Sequence, residues 1–206
     1  RIPPVHLYVY GWRKYMQSKL KFSLLDNALD SLALGLEFAL SDRQDKSKLK
    51  LAVLLVAQSV ELLLKERLRR EHWSLIYRNV DKAGSYDAIT VSINEAKKRL
   101  ATITNITLSK DHDDAVEEIR KTRNRIQHFE VNITFEQVVA QLNAAIQFLI
   151  SFLHAELDLD IRDIIPADVY QSLVEIEELA TELRELAIKR VEEEEKEHQP
   201  TKLADL

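Results

Sequence analysis

The residues best suited to chemistry in this chain stand in one run, Arg123-Asn124-Arg125-Ile126-Gln127-His128. An imidazole titrates near neutrality, so a histidine such as His128 suits a general base or acid. The guanidinium of Arg123 stays charged and grips phosphate oxygens with two donors at once. Metal-free cleavage of RNA asks for this combination: a base that takes the 2′-hydroxyl proton, and a fixed cation that offsets charge growing on the phosphate. Spacing alone does not single the run out. Arg1 to His6 and Arg67 to His72 repeat the five-residue interval, three occurrences among six histidines. Only the interval from Arg123 has a polar residue after the arginine, a late position in the chain and a helix carrying apolar core residues.

At about 100° per residue, five positions turn a helix through about 140°, so Arg123 and His128 leave on different faces while Asn124 and His128 share one. One helix is therefore a poor active site, and two antiparallel copies meeting at a two-fold axis would be needed to gather both groups at one cleft. Other chemistries are poorly served. The one Glu-x-x-His pair, Glu195 to His198, lies in an acidic tail without a second copy, which argues against a di-iron carboxylate site. Glycine-rich phosphate loops, His-Glu-x-x-His and nucleophile elbows are absent from the sequence. No metal and no cofactor is expected.

The elements that must position the run read as helices throughout. Three glycines and four prolines in 206 residues are too few turn formers for a β-rich fold, and 46% hydrophobic residues suffice for a sizeable core. An all-α, up-and-down helical bundle with an additional long C-terminal helix is expected: an N-terminal arm over 1–21, the bundle over 22–158, and a C-terminal helix with an acidic tail over 159–206. The arm carries Tyr8, Tyr10, Trp12 and Tyr15 without clear period. Leu25, Ala28, Leu32, Leu36 and Ala39 recur at three- and four-residue steps, marking a helix over 22–40. A second helix, 47–70, is apolar nearly all round and should be central, apart from a narrow stripe of Gln58, Glu61 and Lys65.

Ser92 with Glu95 and Thr134 with Gln137 fit capping boxes, which open a short helix to about 102 and a long one to about 157. Between them the helix of the Arg–His run, 110–129, begins with Asp111, Asp113 and Asp114 and ends in bases, matching the helix dipole. Val116, Ile119, Ile126 and Phe129 are its expected buried stripe. The β-branched stretch 102–107 is expected to be irregular. Pro166 suits the first turn of a further helix, in which Leu173, Ile176, Ala180, Leu183 and Ala187 form a narrow seam able to pair with another chain. Glu192 to Glu197 is read as a solvated, fraying end.

The run Arg123 to His128, late in a helical bundle, resembles the Arg-x4–6-His motif of HEPN ribonucleases (higher eukaryotes and prokaryotes nucleotide-binding domains). Gln58-Ser59-Val60-Glu61-Leu62-Leu63-Leu64-Lys65 is similar to the apolar, glutamate-containing helix of that family, and together the likeness covers about 22–157. The resemblance implies a homodimer whose motifs share a cleft, and RNA cleavage by 2′-hydroxyl attack that leaves a cyclic phosphate. It implies Arg123 as phosphate clamp, Asn124 as positioning group and His128 as general base or acid. Arg125 has no fixed counterpart and is assigned as a secondary phosphate contact. Glu61, on the central helix, is assigned to hold the guanidinium of Arg123 or Arg125 in place.

The expected activity is that of a metal-independent endoribonuclease, a toxin or defence effector, with RNA as substrate and an antitoxin or other protein as a further partner. The alternative, also within the resemblance, is a non-catalytic bundle that binds a partner protein or assists a nucleotide-handling enzyme. A net charge of −5 gives no global pull toward polyanions, so nucleic acid must meet a local patch, either Lys65, Arg67, Arg69 and Arg70 or Arg120, Lys121, Arg123 and Arg125. The first of these is read mainly as a solvated helix end. With no cysteine and apolar runs too short for a bilayer, a cytoplasmic setting without membrane contact is expected. The two Asn-Ile-Thr sequences, at Asn105 and Asn132, match a glycosylation pattern that means little without secretion.

Overall fold

The computed structural model describes residues 21–41 and 45–175. The aromatic arm, the acidic tail and the seam beyond Leu173 lie outside the described residues. Five α-helices follow one another: α1 (Leu24–Leu40), α2 (Lys46–Glu71), α3 (Ile93–Arg99), α4 (Lys110–His128) and α5 (Phe135–Leu157). A further helix covers 167–175, just after Pro166. Among the described residues there is no strand, only one bridge between Tyr77 and Thr90, so the protein is all-α.

Local chemistry sets the helix starts. Ser23 and Asp26 exchange hydrogen bonds between side chains and backbone amides at the start of α1. Both predicted capping boxes form, Ser92 with Glu95 opening α3 and Thr134 with Gln137 opening α5. Ser109 accepts from the His112 amide to start α4. After α3 the chain widens into a π-helical turn, Leu100–Thr104, which carries helix as far as Thr104, inside the stretch 102–107 expected to be irregular. The hydroxyls of Thr102 and Thr104 donate to the carbonyls of Lys98 and Leu100, the local competition for backbone acceptors that such residues bring.

The chain divides into two compact units, 31–60 with 108–206 and 1–30 with 61–107. In the former, α4 and α5 pack together. His112 meets Phe148 edge-on at 5.5 Å and Thr122 donates to Gln141 at 2.7 Å, so rising positions on α4 match falling ones on α5 and the pair is antiparallel. Val116, Ile119, Leu142, Leu149 and Leu153 are buried there. Phe129 departs from the expected stripe of α4, being 73% exposed. It sits past the last helical residue with an extended backbone, so the helical period no longer directs it inward. Gly35 is required by close approach: a Cβ there would stand 3.0 Å from Val56 Cγ2 and 3.2 Å from Val56 N.

In the unit of 1–30 and 61–107, Leu63, Leu64, Leu68, Val91, Ile93 and Leu100 are buried. One arginine organises the long loop before α3: Arg99 Nη1 donates to the carbonyls of Leu75 at 2.5 Å and Tyr77 at 2.7 Å. The basic cluster of α2 is less solvated than expected. Lys65 is only 5% exposed, and the buried Glu66 carboxylate takes two hydrogen bonds from Arg69 and one from Arg70. Those charges are held by neighbours one turn away, and the spacing of three and four along α2 allows it.

Among the described residues α5 alone is long and apolar enough to cross a membrane, by length and composition. Polar residues such as Gln141, Asn143 and Gln147 interrupt it, so no unbroken apolar run marks it in the sequence. Eight of its side chains, Leu142 to Leu157, are buried within the protein, and Gln147 and Ser151 are among those left outside.

Candidate functional site at the end of helix α4

The last two turns of α4 carry the whole Arg–His run. Its acidic first turn, with Asp111 and Asp113, and its basic last turn, with Arg125 and His128, both complement the helix dipole. The inward face is fixed by Val116, Ile119 and the 3% exposed Thr122, whose hydroxyl is tied to Gln141 on α5. With that face committed to the core, the residues after Thr122 are placed by the helical turn.

His128 is the final helical residue and is exposed, its ring meeting Phe129 edge-on with centroids 6.4 Å apart. Arg123 and Asn124 are half-buried, and Arg125 is exposed. Arg123 Nη1 donates to Gln127 Oε1 at 3.3 Å. Of the basic patch named from the sequence, Arg120 is engaged by Glu117 and Lys121 by Glu118, and both cations are held protonated above their usual range by those carboxylates.

Glu61 belongs to the unit of 1–30 and 61–107. There it accepts from Lys65 Nζ at 2.6 Å, and the same ammonium donates to Thr90 Oγ1 at 2.9 Å. The polar stripe of α2 thus runs from solvent at Gln58 to an internal ion pair at Lys65.

Beside the run lies a feature that the sequence reading missed. Phe129, Val131, Ile133 and Phe135, alternate residues of the α4–α5 connection, line an open cavity of about 480 Å³ together with Ile126 and Leu49. Alternation along an extended segment sends such side chains to one side, and that period of two was the available signal. Lys46 and Lys50, one turn apart on α2, stand at the same cavity. Among the described residues no group of three histidine, aspartate or glutamate side chains comes together as a metal site.

No family model, no curated protein and no solved structure matches the chain. The functional reading therefore rests on this geometry and on the motif.

Proposed function

We propose that the end of α4 is half of a composite, metal-independent endoribonuclease site of the HEPN kind, completed by the same helix end of a second copy. The observation that carries the reading is the exposure of His128 at the tip of α4, five positions after a half-buried Arg123. An imidazole at that place reaches a 2′-hydroxyl on an incoming strand without unfolding anything, and takes its proton as the oxygen attacks the adjacent phosphorus. Arg123 and its symmetry mate offset the charge that builds on the phosphate, Asn124 positions the reacting groups from the face it shares with His128, and Arg125 holds a neighbouring phosphate. The 5′-oxygen is expelled with a proton from the imidazolium of the second copy's helix end, and a 2′,3′-cyclic phosphate remains. A toxin or defence role restrained by a partner protein fits an activity that needs no cofactor.

The mechanism is tested on its products. An RNA cut in EDTA should carry a cyclic phosphate by mass spectrometry, and a substrate with a single 2′-deoxy residue at the cleavage position should resist. Products ending in 3′-hydroxyl groups would rule the scheme out.

A second reading, a non-catalytic bundle that binds a protein partner, is favoured by one observation, the apolar cavity between Lys46 and Phe129. An intact RNA after prolonged incubation in EDTA would select it.

A further inference from the structure

The cavity at the α4–α5 connection lies wholly within the unit of 31–60 and 108–206, and its lining sorts by chemistry. Leu49 and Val53 of α2, with Phe129, Val131, Ile133 and Phe135 of the connection, supply most of an apolar wall. Among the described residues, the only polar side chains in the lining are Lys46 and Lys50, one turn apart on α2 and both exposed. No carboxylate lines it. Along the connection Glu130, Asn132 and Thr134 alternate with the apolar residues and stay out of the lining. Asp45, the acid next to Lys46 in sequence, is engaged in capping α2, its Oδ1 accepting from the amides of Ser47 at 2.9 Å and Lys48 at 3.3 Å.

Those features select a class of ligand. A volume of about 480 Å³ falls in the range of about 300 to 1,000 Å³ usual for small-molecule sites. Phe129 and Phe135, 73% and 37% exposed, present aromatic area that a bound apolar chain would remove from water. A nucleobase or an extended peptide would bury donors and acceptors against a wall that has no side-chain hydroxyl, amide or carboxylate to pair them. An alkyl chain has none to pair, and an anionic group at its end would meet two ammonium groups and no opposing carboxylate in the lining. We propose that the groove binds a fatty carboxylate, its chain laid against Phe129, Ile133 and Phe135 and its head group at Lys46 and Lys50. The site is separate in its chemistry from the Arg–His run and does not depend on RNA cleavage.

The full chain is titrated by calorimetry with dodecanoate below its micellar concentration, beside octanoate and dodecyltrimethylammonium. Dodecanoate should bind saturably, one molecule to a chain. Each buried methylene changes affinity about fourfold, so the shorter octanoate should bind about tenfold more weakly or worse. Dodecyltrimethylammonium carries the same tail under a cation that both lysines repel, and should bind several-fold more weakly than dodecanoate. The double variant Lys46→Gln, Lys50→Gln should lose that head-group preference, and Phe129→Ala should weaken dodecanoate several-fold. All three positions are exposed, and circular dichroism checks that each variant is folded. The chain-length and head-group comparisons need the wild type alone, so they decide the matter even if a variant fails to fold. No saturable binding, equal affinity for the two head groups, a preference that survives the loss of both lysines, or an affinity indifferent to Phe129→Ala would each overturn the proposal.

Discussion

At the tip of α4, Arg125 and His128 are exposed, whereas Arg123 and Asn124 are half-buried. For the proposed ribonuclease this division would be useful, since its base must meet the substrate while its cation gains strength from partial removal from water. In α3, Glu95 shows how completely one carboxylate can be enlisted in structure. The backbone N–H of Ser92 donates to it first, then Arg78 and the Ser92 hydroxyl, which together bring its pKa from 4.5 down to about 2. Because the folded value lies below the unfolded one, its contribution to stability is fully present above about pH 4.5 and is lost as pH falls toward 2. NMR titration of the Glu95 carboxyl should therefore show a midpoint near 2, and acid unfolding of Glu95→Gln should be less steep over that range. A midpoint near 4.5 would show that the box and the Arg78 pair do not persist in solution.

At the scale of elements, α1 contains a position where propensity and packing oppose each other. Replacing Gly35 by alanine gains about 1 kcal/mol of helix propensity. The new Cβ would stand 3.0 Å from Val56 Cγ2, 3.2 Å from Val56 N and 3.3 Å from Leu55 Cβ. A methyl can swing aside, but a backbone amide inside α2 yields only if the helix shifts, and overpacking of that sort costs about 1–3 kcal/mol. Gly35→Ala should lower the urea midpoint; a raised midpoint would mean that α1 and α2 are not this close between Gly35 and Val56. The helices themselves were legible in the sequence because their signals are local. Ser92 with Glu95 and Thr134 with Gln137 announce their starts three residues apart, and the acidic and basic ends of α4 mark its direction. What escaped was non-local or changed period. Phe129 continues the apolar stripe of α4 on paper, yet it comes one residue after the helix ends and points to an open groove instead. The Arg99 clamp on Leu75 and Tyr77 joins residues 24 and 22 positions apart, for which no short-range pattern exists.

For the whole molecule, two features of α4's end converge on function: the Arg–His run itself and the adjoining apolar groove with its lysines. The candidate catalytic residues were readable as types at a spacing, but their exposure was not, because it depends on where α5 packs and on how the connection from Phe129 to Phe135 is threaded. The single polypeptide puts Arg123 and His128 about 140° apart around α4, so the account requires assembly before chemistry. The measurement that tests it most directly is the rate of cleavage of a labelled RNA in EDTA by wild type, His128→Ala and Arg123→Ala, each confirmed folded by circular dichroism. The account predicts cleavage by the wild type and a loss of about 10²-fold or more in each variant; no cleavage by the wild type, or equal rates in all three, would contradict it.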